Sequence, residues 1–525
     1  MSDKKNIIIF SIIFLIASTI LFLKTGSMFI DFSRESYIPF QMLQGKTLIK
    51  DIFLIYGPFG YIINFLLYKI TVNINLLIIL SHLISYLIII LFYFILRQFK
   101  SEKISLLFTI FFIIASIFSY STFNYIVPYS YSTLWAIFGI YLILYSILYN
   151  KKSLIFLSLG LILCSKIEYF IPCVIISFGY LIYKKESFKR NILYILVFPL
   201  ITVTYFIFHK ITLADFLNNF YYIKQMLKTD ALEYLYKGMG VYYLEDYFKY
   251  NLVKLLKISI LSAISYIIYK FKPVFSIIIL LVGLFYLNTN ESFNLILFVN
   301  LILAIYLIKK HQINEKEIIL LIFSIILSSK AMFAINSLTY SNFGYCLMLA
   351  ILFIMLEKII NKKWLISFFI CFFAINILGN CVFMLLTPKR LFKTNVGKIA
   401  IDEEKYREFL LVNEYIEKNI KNNESLIVLP EGQIFNLTHK LYHPFFNSTF
   451  TPLDFETFKD DYFIQKLKEN KTDYIIFYPR NTFDYGKINI CYDYAVDFCK
   501  YIIDNYDKEE LGYNTENVRI YKRKK

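Results

Sequence analysis

Ser153–Tyr183 reads SLIFLSLGLILCSKIEYFIPCVIISFGYLIY and lies between the pairs Lys151-Lys152 and Lys184-Lys185. One long tilted helix through this stretch would set the two basic pairs on opposite sides of a membrane and flip every later loop. Two short helices folded back on each other keep both pairs on one side, with the tip Cys164-Ser165-Lys166-Ile167-Glu168 on the other. The placement of Lys and Arg in short loops decides between them, because such loops mark the inner side. With the N-terminus inside, the inner loops carry 19 Lys and Arg against six acids, whereas the loops at 121–126, 288–291 and 337–339 carry no Lys or Arg. The hairpin is therefore expected.

Outward from the hairpin, the composition is that of a polytopic membrane protein. The 525 residues are 58% hydrophobic and 18% charged, more apolar side chain than a water-facing surface hides. Windows of about 20 apolar residues recur as far as Leu386. They suggest thirteen spans, near 6–23, 74–96, 104–120, 127–149, 153–164, 168–183, 191–209, 251–269, 273–288, 292–308, 317–336, 340–357 and 364–386. Residues 1–386 hold 33 Lys and Arg against 16 Asp and Glu, and residues 387–525 hold 22 of each, so the whole net charge of +17 belongs to the membrane half. Such a distribution argues against nucleic acid as a partner. The fold class expected is a multi-pass α-helical membrane domain, 1–386, followed by an extracytoplasmic α/β domain, 387–525.

Two outer segments exceed the length of connectors. Residues 24–73 form the first outer loop, in which the apolar run 53–70 is interrupted by Gly57-Pro58 and is expected to be re-entrant or interfacial. Residues 210–250 form the second, amphipathic and expected to lie along the membrane surface. In the tail, 403–421, 455–469 and 493–505 read as helices, and 425–429, 474–478 and 518–521 as strands. Cys491 and Cys499 are eight residues apart, about 12 Å along one helix, which argues against a disulfide unless a turn intervenes. The other cysteines read as buried apolar side chains.

Candidate chemistry gathers in the first outer loop. Asp31 follows the first span closely, at the level of lipid head groups, where a carboxylate is costly unless used or paired. A partly desolvated carboxylate holds protons more tightly, as a general base for a hydroxyl proton must. Glu35 lies four residues on and shares a helical face with it, placed to orient Asp31, bind sugar hydroxyls or share a divalent metal. A salt-bridged helix start through Arg34 is the plainer alternative. Lys166, beside Glu168, and Lys330, near Asn336, fall at similar depth, where a cation suits the phosphate of a membrane lipid. Pairing with Glu168 and snorkelling to the surface are their plain alternatives. His439 and His443 are spaced i,i+4 but lack the glutamate of a zinc-protease motif.

Taken together, an acid just after the first span, the run Gly45…Asp51…Tyr56-Gly57-Pro58, the Lys166-x-Glu168 hairpin and the tail sequence Leu429-Pro430-Glu431-Gly432 followed by Phe435-Asn436-Leu437-Thr438 resemble the C-type superfamily of polyprenyl-phosphate-dependent glycosyltransferases. Within it, the bacterial family grouped with protein O-mannosyltransferases and lipid A aminoarabinose transferase is the nearest match. The resemblance implies transfer of a sugar from a polyprenyl-phosphate donor to a glycan, lipid or protein acceptor outside the cytoplasmic membrane, with the N-terminus cytoplasmic. It implies Asp31 as the base, assisted by Glu35, with Asp51, Tyr56, Lys166, Glu168 and Lys330 at the substrate. Many members carry a second acid in the next outer loop, but residues 121–126 have none, so Glu35, Asp215, Asp230 or Glu233 would have to supply it, and metal dependence stays open. A transporter or flippase of lipid-linked sugars, or a glycan polymerase or ligase, are the competing readings.

Overall fold

A computed structural model describes residues 2–22, 28–118, 125–187, 191–238, 244–286, 293–328, 343–386, 388–447, 449–510 and 517–524. The chain is mostly helical up to Leu386, and beyond it come six short strands among helices in the described residues.

Lys152–Ser165 and Ile167–Tyr183 are separate helices, broken at Lys166, whose backbone is extended. Their far ends return to the same place, since Lys152 pairs with Glu186 and the Phe156 and Phe178 rings meet at 5.7 Å. The expected hairpin is therefore present. Other loops assigned to the inner side converge at one end of the helix bundle through ion pairs. Arg97 meets Asp3 at 2.8 Å, Lys100 pairs with Glu357, Lys358 meets Glu317 at 2.5 Å and Lys184 meets Glu315 at 2.7 Å.

Thirteen crossings are not supported. Among the described residues only Asp3–Leu21, Ile74–Arg97 and Tyr131–Leu148 are long and apolar enough to cross a membrane. Ile192–Phe208 and Leu213–Met226 would make a fourth only as one span, and they are bent by 110°. Several other apolar windows fold as helices of 12 to 17 residues, among them Glu102–Ile117 and Tyr345–Leu356. At 1.5 Å per residue these reach about 18–26 Å, short of the roughly 30 Å hydrocarbon layer. Hydropathy windows run across helix breaks that they do not register. Phe59–Ile70, 12 residues long, is likewise no crossing.

The second outer segment is docked by direct contacts. Leu213–Met226 and Asp230–Gly238 pack on the first outer loop and the tail: Asn219 and Leu54 exchange hydrogen bonds, Tyr222 meets Phe458 at 4.5 Å, and Glu456 accepts from Ala231 N–H at 2.8 Å. Leu213, Leu217 and Phe220 on the former helix remain exposed.

In the tail, β1 (Lys389–Thr394) and β2 (Gly397–Asp402) form an antiparallel pair, unexpected from the sequence. A four-stranded sheet runs in the order β3 (Leu426–Leu429), β4 (Tyr474–Phe477), β6 (Arg519–Arg523), β5 (Tyr506–Glu509). The pair β3 and β4 is parallel and the other pairings are antiparallel. Both parallel strands are buried apolar runs, as strands covered on two faces must be. The expected helix at 455–469 is two, Pro452–Phe458 and Asp460–Asn470, divided at Lys459 with φ +73°. Cys491 and Cys499 form a disulfide, with Cα atoms 5.4 Å apart. The spacing argument fails because Cys491 lies in a turn, with φ +75°, before the helix Val496–Asn505 begins.

Bundle and tail share one apolar core. Phe29 stacks on Tyr478 at 5.2 Å and touches Phe409 and Phe435. Beside it, Ser33 donates to Gln433 at 3.0 Å and Tyr37 donates to the Leu441 carbonyl at 2.7 Å. The tail thus rests on the helix Asp31–Leu43, which carries the candidate acids.

Candidate functional site

Asp31 opens that helix, where a carboxylate complements the positive end of the helix dipole. Arg34, one turn later, reaches back to Asp31 at 3.3 Å, sideways to Glu35 at 3.6 Å and across to the Tyr129 carbonyl at 3.2 Å. The salt-bridged helix start is real, and it joins the two acids. They differ in surroundings. The Asp31 side chain keeps 26% of its surface accessible. Glu35 is fully buried, accepting from Tyr61 OH at 2.5 Å and from Tyr131 N–H at 2.9 Å. These bonds make Glu35 the residue that ties the first outer loop to Tyr61 and to the Tyr131 amide.

Tyr56 joins this group to the hairpin. Its ring lies 5.8 Å from the Arg34 guanidinium and 4.8 Å from the Lys166 ammonium. Gly57 makes the join: its N–H donates to the Ser165 carbonyl at 2.9 Å, and a Cβ there would fall 2.3 Å from the Cys164 carbonyl oxygen. Only glycine permits that approach. Lys166 donates to Tyr129 OH at 2.5 Å and Thr133 Oγ1 at 2.7 Å and pairs with Glu168 at 3.4 Å. Asp31, Glu35, Tyr56, Lys166 and Glu168, scattered over 138 residues of sequence, are thus within one connected cluster. Asp51 is not part of it. Its carboxylate accepts from Thr47 N–H at 2.9 Å and closes its own turn. Lys330 and Asn336 lie outside the described residues.

Four residues of the cluster come from the tail. Glu431, at the end of β3, and Arg480, just past β4, form an ion pair at 2.5 Å. Arg480 also donates to Asp484 at 3.3 Å and faces Tyr485. All four act electrostatically on Asp31 or feel it. Burial raises the proton affinity of Asp31 above the ordinary aspartate value, against Arg34 and Arg480 and with a push from Asp484. Burial likewise pushes Glu431 up to about 7, against Arg480.

Two tail acids, Glu431 and Asp484, therefore act on Asp31 or feel it. Asp215 caps its own helix by bonding Thr212. Asp230 begins the next helix, and Glu233 lies on that helix. A signal for Glu431 was available in the sequence, as a Pro-Glu-Gly turn ending an apolar strand. Nothing marked Arg480.

The two tail histidines do not converge. His439 bonds Asn413 at 2.9 Å, whereas His443 is buried beneath Lys46, which donates to the His443 and Phe445 carbonyls at 2.5 and 3.0 Å. Among the described residues no three His, Cys, Asp or Glu side chains are grouped to hold a metal ion. Compared with models of protein families and with curated protein sequences, the chain matches none of them.

Proposed function

We propose that the protein is a membrane glycosyltransferase that moves a sugar from a polyprenyl-phosphate donor to an acceptor hydroxyl outside the cytoplasmic membrane, with Asp31 as base. The observation that carries this reading is the meeting of Asp31 with Arg34, Tyr56 and Arg480 between the first outer loop and the tail. A polyprenyl phosphate stays in the bilayer while its acceptor arrives from water, so the reaction needs a polar site beside apolar helices. Asp31 takes the hydroxyl proton as the acceptor oxygen bonds to the anomeric carbon. The bond from that carbon to the phosphate oxygen breaks, and the phosphate leaves on its lipid with the electron pair, its charge screened by a neighbouring cation.

The finer topology, a multi-pass bundle with the N-terminus cytoplasmic and the tail exported, belongs to this proposal. The gathering of basic loops at one end of the bundle and the Cys491–Cys499 disulfide, a bond favoured in oxidising compartments, support it. The test is Asp31→Asn in membranes supplied with labelled lipid-phosphate sugars. Transfer is expected to vanish with protein abundance unchanged, and wild-type transfer by this variant would remove Asp31 from the reaction.

A further inference from the structure

β3 and β4 are parallel neighbours, and their carboxyl ends run directly into Pro430-Glu431-Gly432 and Tyr478-Pro479-Arg480. In open α/β sheets that edge is where ligands bind. Here it is turned toward Asp31 by the contacts of Phe29 with Tyr478 and of Ser33 with Gln433.

The cations of the site differ in what they have left to give. An ammonium has three hydrogens; Tyr129 and Thr133 take two of those of Lys166, which is 2% exposed and is paired with Glu168 at 3.4 Å. It is the post on which the hairpin tip stands. Arg34 is divided among Asp31, Glu35 and the Tyr129 carbonyl. Arg480 is different. Its Nη2 donates to Asp484, its Nε faces Glu431 as an ion pair without the alignment of a hydrogen bond, and its Nη1 has no acceptor among the described residues. A buried guanidinium with spare donors in a planar fork suits two oxygens of one phosphate.

We infer that the phosphate subsite lies on the tail, where Arg480 takes the phosphate of the lipid-linked donor in exchange for Glu431. This rests on the reading of the site as a transferase using a lipid phosphate, and it moves the phosphate away from Lys166. The exchange leaves no stranded buried carboxylate, because Glu431 already sits where burial favours its neutral form. No carbon–oxygen or phosphorus–oxygen bond changes in this step. Where Glu431 is ionised, it takes a proton from the surrounding water as the guanidinium turns to the phosphate.

Purified full-length protein in detergent micelles, titrated with farnesyl phosphate, farnesol and inorganic phosphate, tests this by ligand-induced thermal stabilisation. Wild type is expected to bind farnesyl phosphate at least tenfold more tightly than either farnesol or inorganic phosphate. Glu431→Gln should bind it as tightly or more tightly, since the competing carboxylate is gone. The double variant Glu431→Gln, Arg480→Gln keeps shape and strands no charge, and it should lose at least tenfold in affinity while eluting as a folded monodisperse protein. Equal binding by the double variant, with loss instead in Lys166→Met, would overturn the inference and leave the transferase reading standing. Absence of farnesyl phosphate binding in wild type would overturn both. Binding of inorganic phosphate as tight as that of farnesyl phosphate would show a free-phosphate site and also overturn the inference.

Discussion

Replacing Glu35 separates scaffold from chemistry. Its carboxylate satisfies Tyr61 OH and Tyr131 N–H, both buried, and faces Arg34. Glu35→Ala leaves those two donors without acceptors, at about 1–3 kcal/mol each. Arg34 keeps Asp31 and the Tyr129 carbonyl, so the loss sums to about 2–6 kcal/mol, a large share of the roughly 5–15 kcal/mol that holds a typical domain folded. Glu35→Gln retains one acceptor oxygen and turns its NH2 toward the second donor, so about half of that loss is expected. Asp31→Asn, by contrast, removes a single ion pair at 3.3 Å on a side chain that is a quarter exposed, at under about 1 kcal/mol. Denaturant titration of the purified protein in detergent, followed by fluorescence, measures all three. The expected order is Glu35→Ala, then Glu35→Gln, then Asp31→Asn, while sugar transfer fails most completely in Asp31→Asn. A Glu35→Ala protein within about 1 kcal/mol of wild type would refute the assignment of Glu35 as the residue that holds the loop.

Three other outcomes follow from the contacts between bundle and tail. Phe29→Ala empties the space among Tyr478, Phe409 and Phe435 and is expected to cost about 3–5 kcal/mol, read as faster amide exchange in 426–438 with exchange at the inner ends of the bundle unchanged. Lys46→Met keeps the apolar stem but leaves the His443 and Phe445 carbonyls without their donor, so a loss of about 2 kcal/mol and new proteolytic cleavage near 443–447 are expected. The folded Glu431 carboxyl holds its proton up to about 7, above its ordinary value of 4.5, so the folded state binds more protons in that window and loses stability as pH rises through it. Wild type should therefore unfold at lower denaturant at pH 7.5 than at pH 5, and Glu431→Gln should flatten that difference.

Much of the site was legible because charge in an apolar segment is costly and its position is therefore informative. Lys166 and Glu168 announced a helix break, and Gly57-Pro58 announced the loop that docks on it. Glu35 was legible as important but not in its role, because spacing sets it on a face with Asp31 and says nothing of Tyr61 or the Tyr131 amide. Asp51 shows the same limit, since its partner Thr47 is local and an Asp that closes a turn looks like one that binds a ligand. The number of crossings was misread for another reason, since hydropathy integrates over breaks that backbone geometry makes. Glu431 sat in a visible Pro-Glu-Gly turn, but its pairing with Arg480 is beyond sequence reach because strand pairing aligns them, and strands four residues long leave little pattern to pair.

The charges of the enclosed cluster do not balance. Asp31, Glu35, Glu431 and Asp484 face Arg34 and Arg480, while Lys166 offsets Glu168, so full ionisation leaves two surplus negative charges, one of which the half-exposed Asp484 can carry toward water. Each carboxyl then raises the proton affinity of the others, and the pocket settles by giving one of them a proton. Burial lets Glu431 hold a proton up to about 7 and also raises the proton affinity of Asp31, which keeps Arg34 and some accessible surface. A reachable acid of raised proton affinity is suited to accept a proton from the acceptor, and an enclosed one to stay neutral while an anion enters. The division depends on the docked tail. If the tail lifts, Arg480 and Glu431 leave together, Asp31 faces water beside Arg34 alone, and nothing remains to hold its proton affinity up.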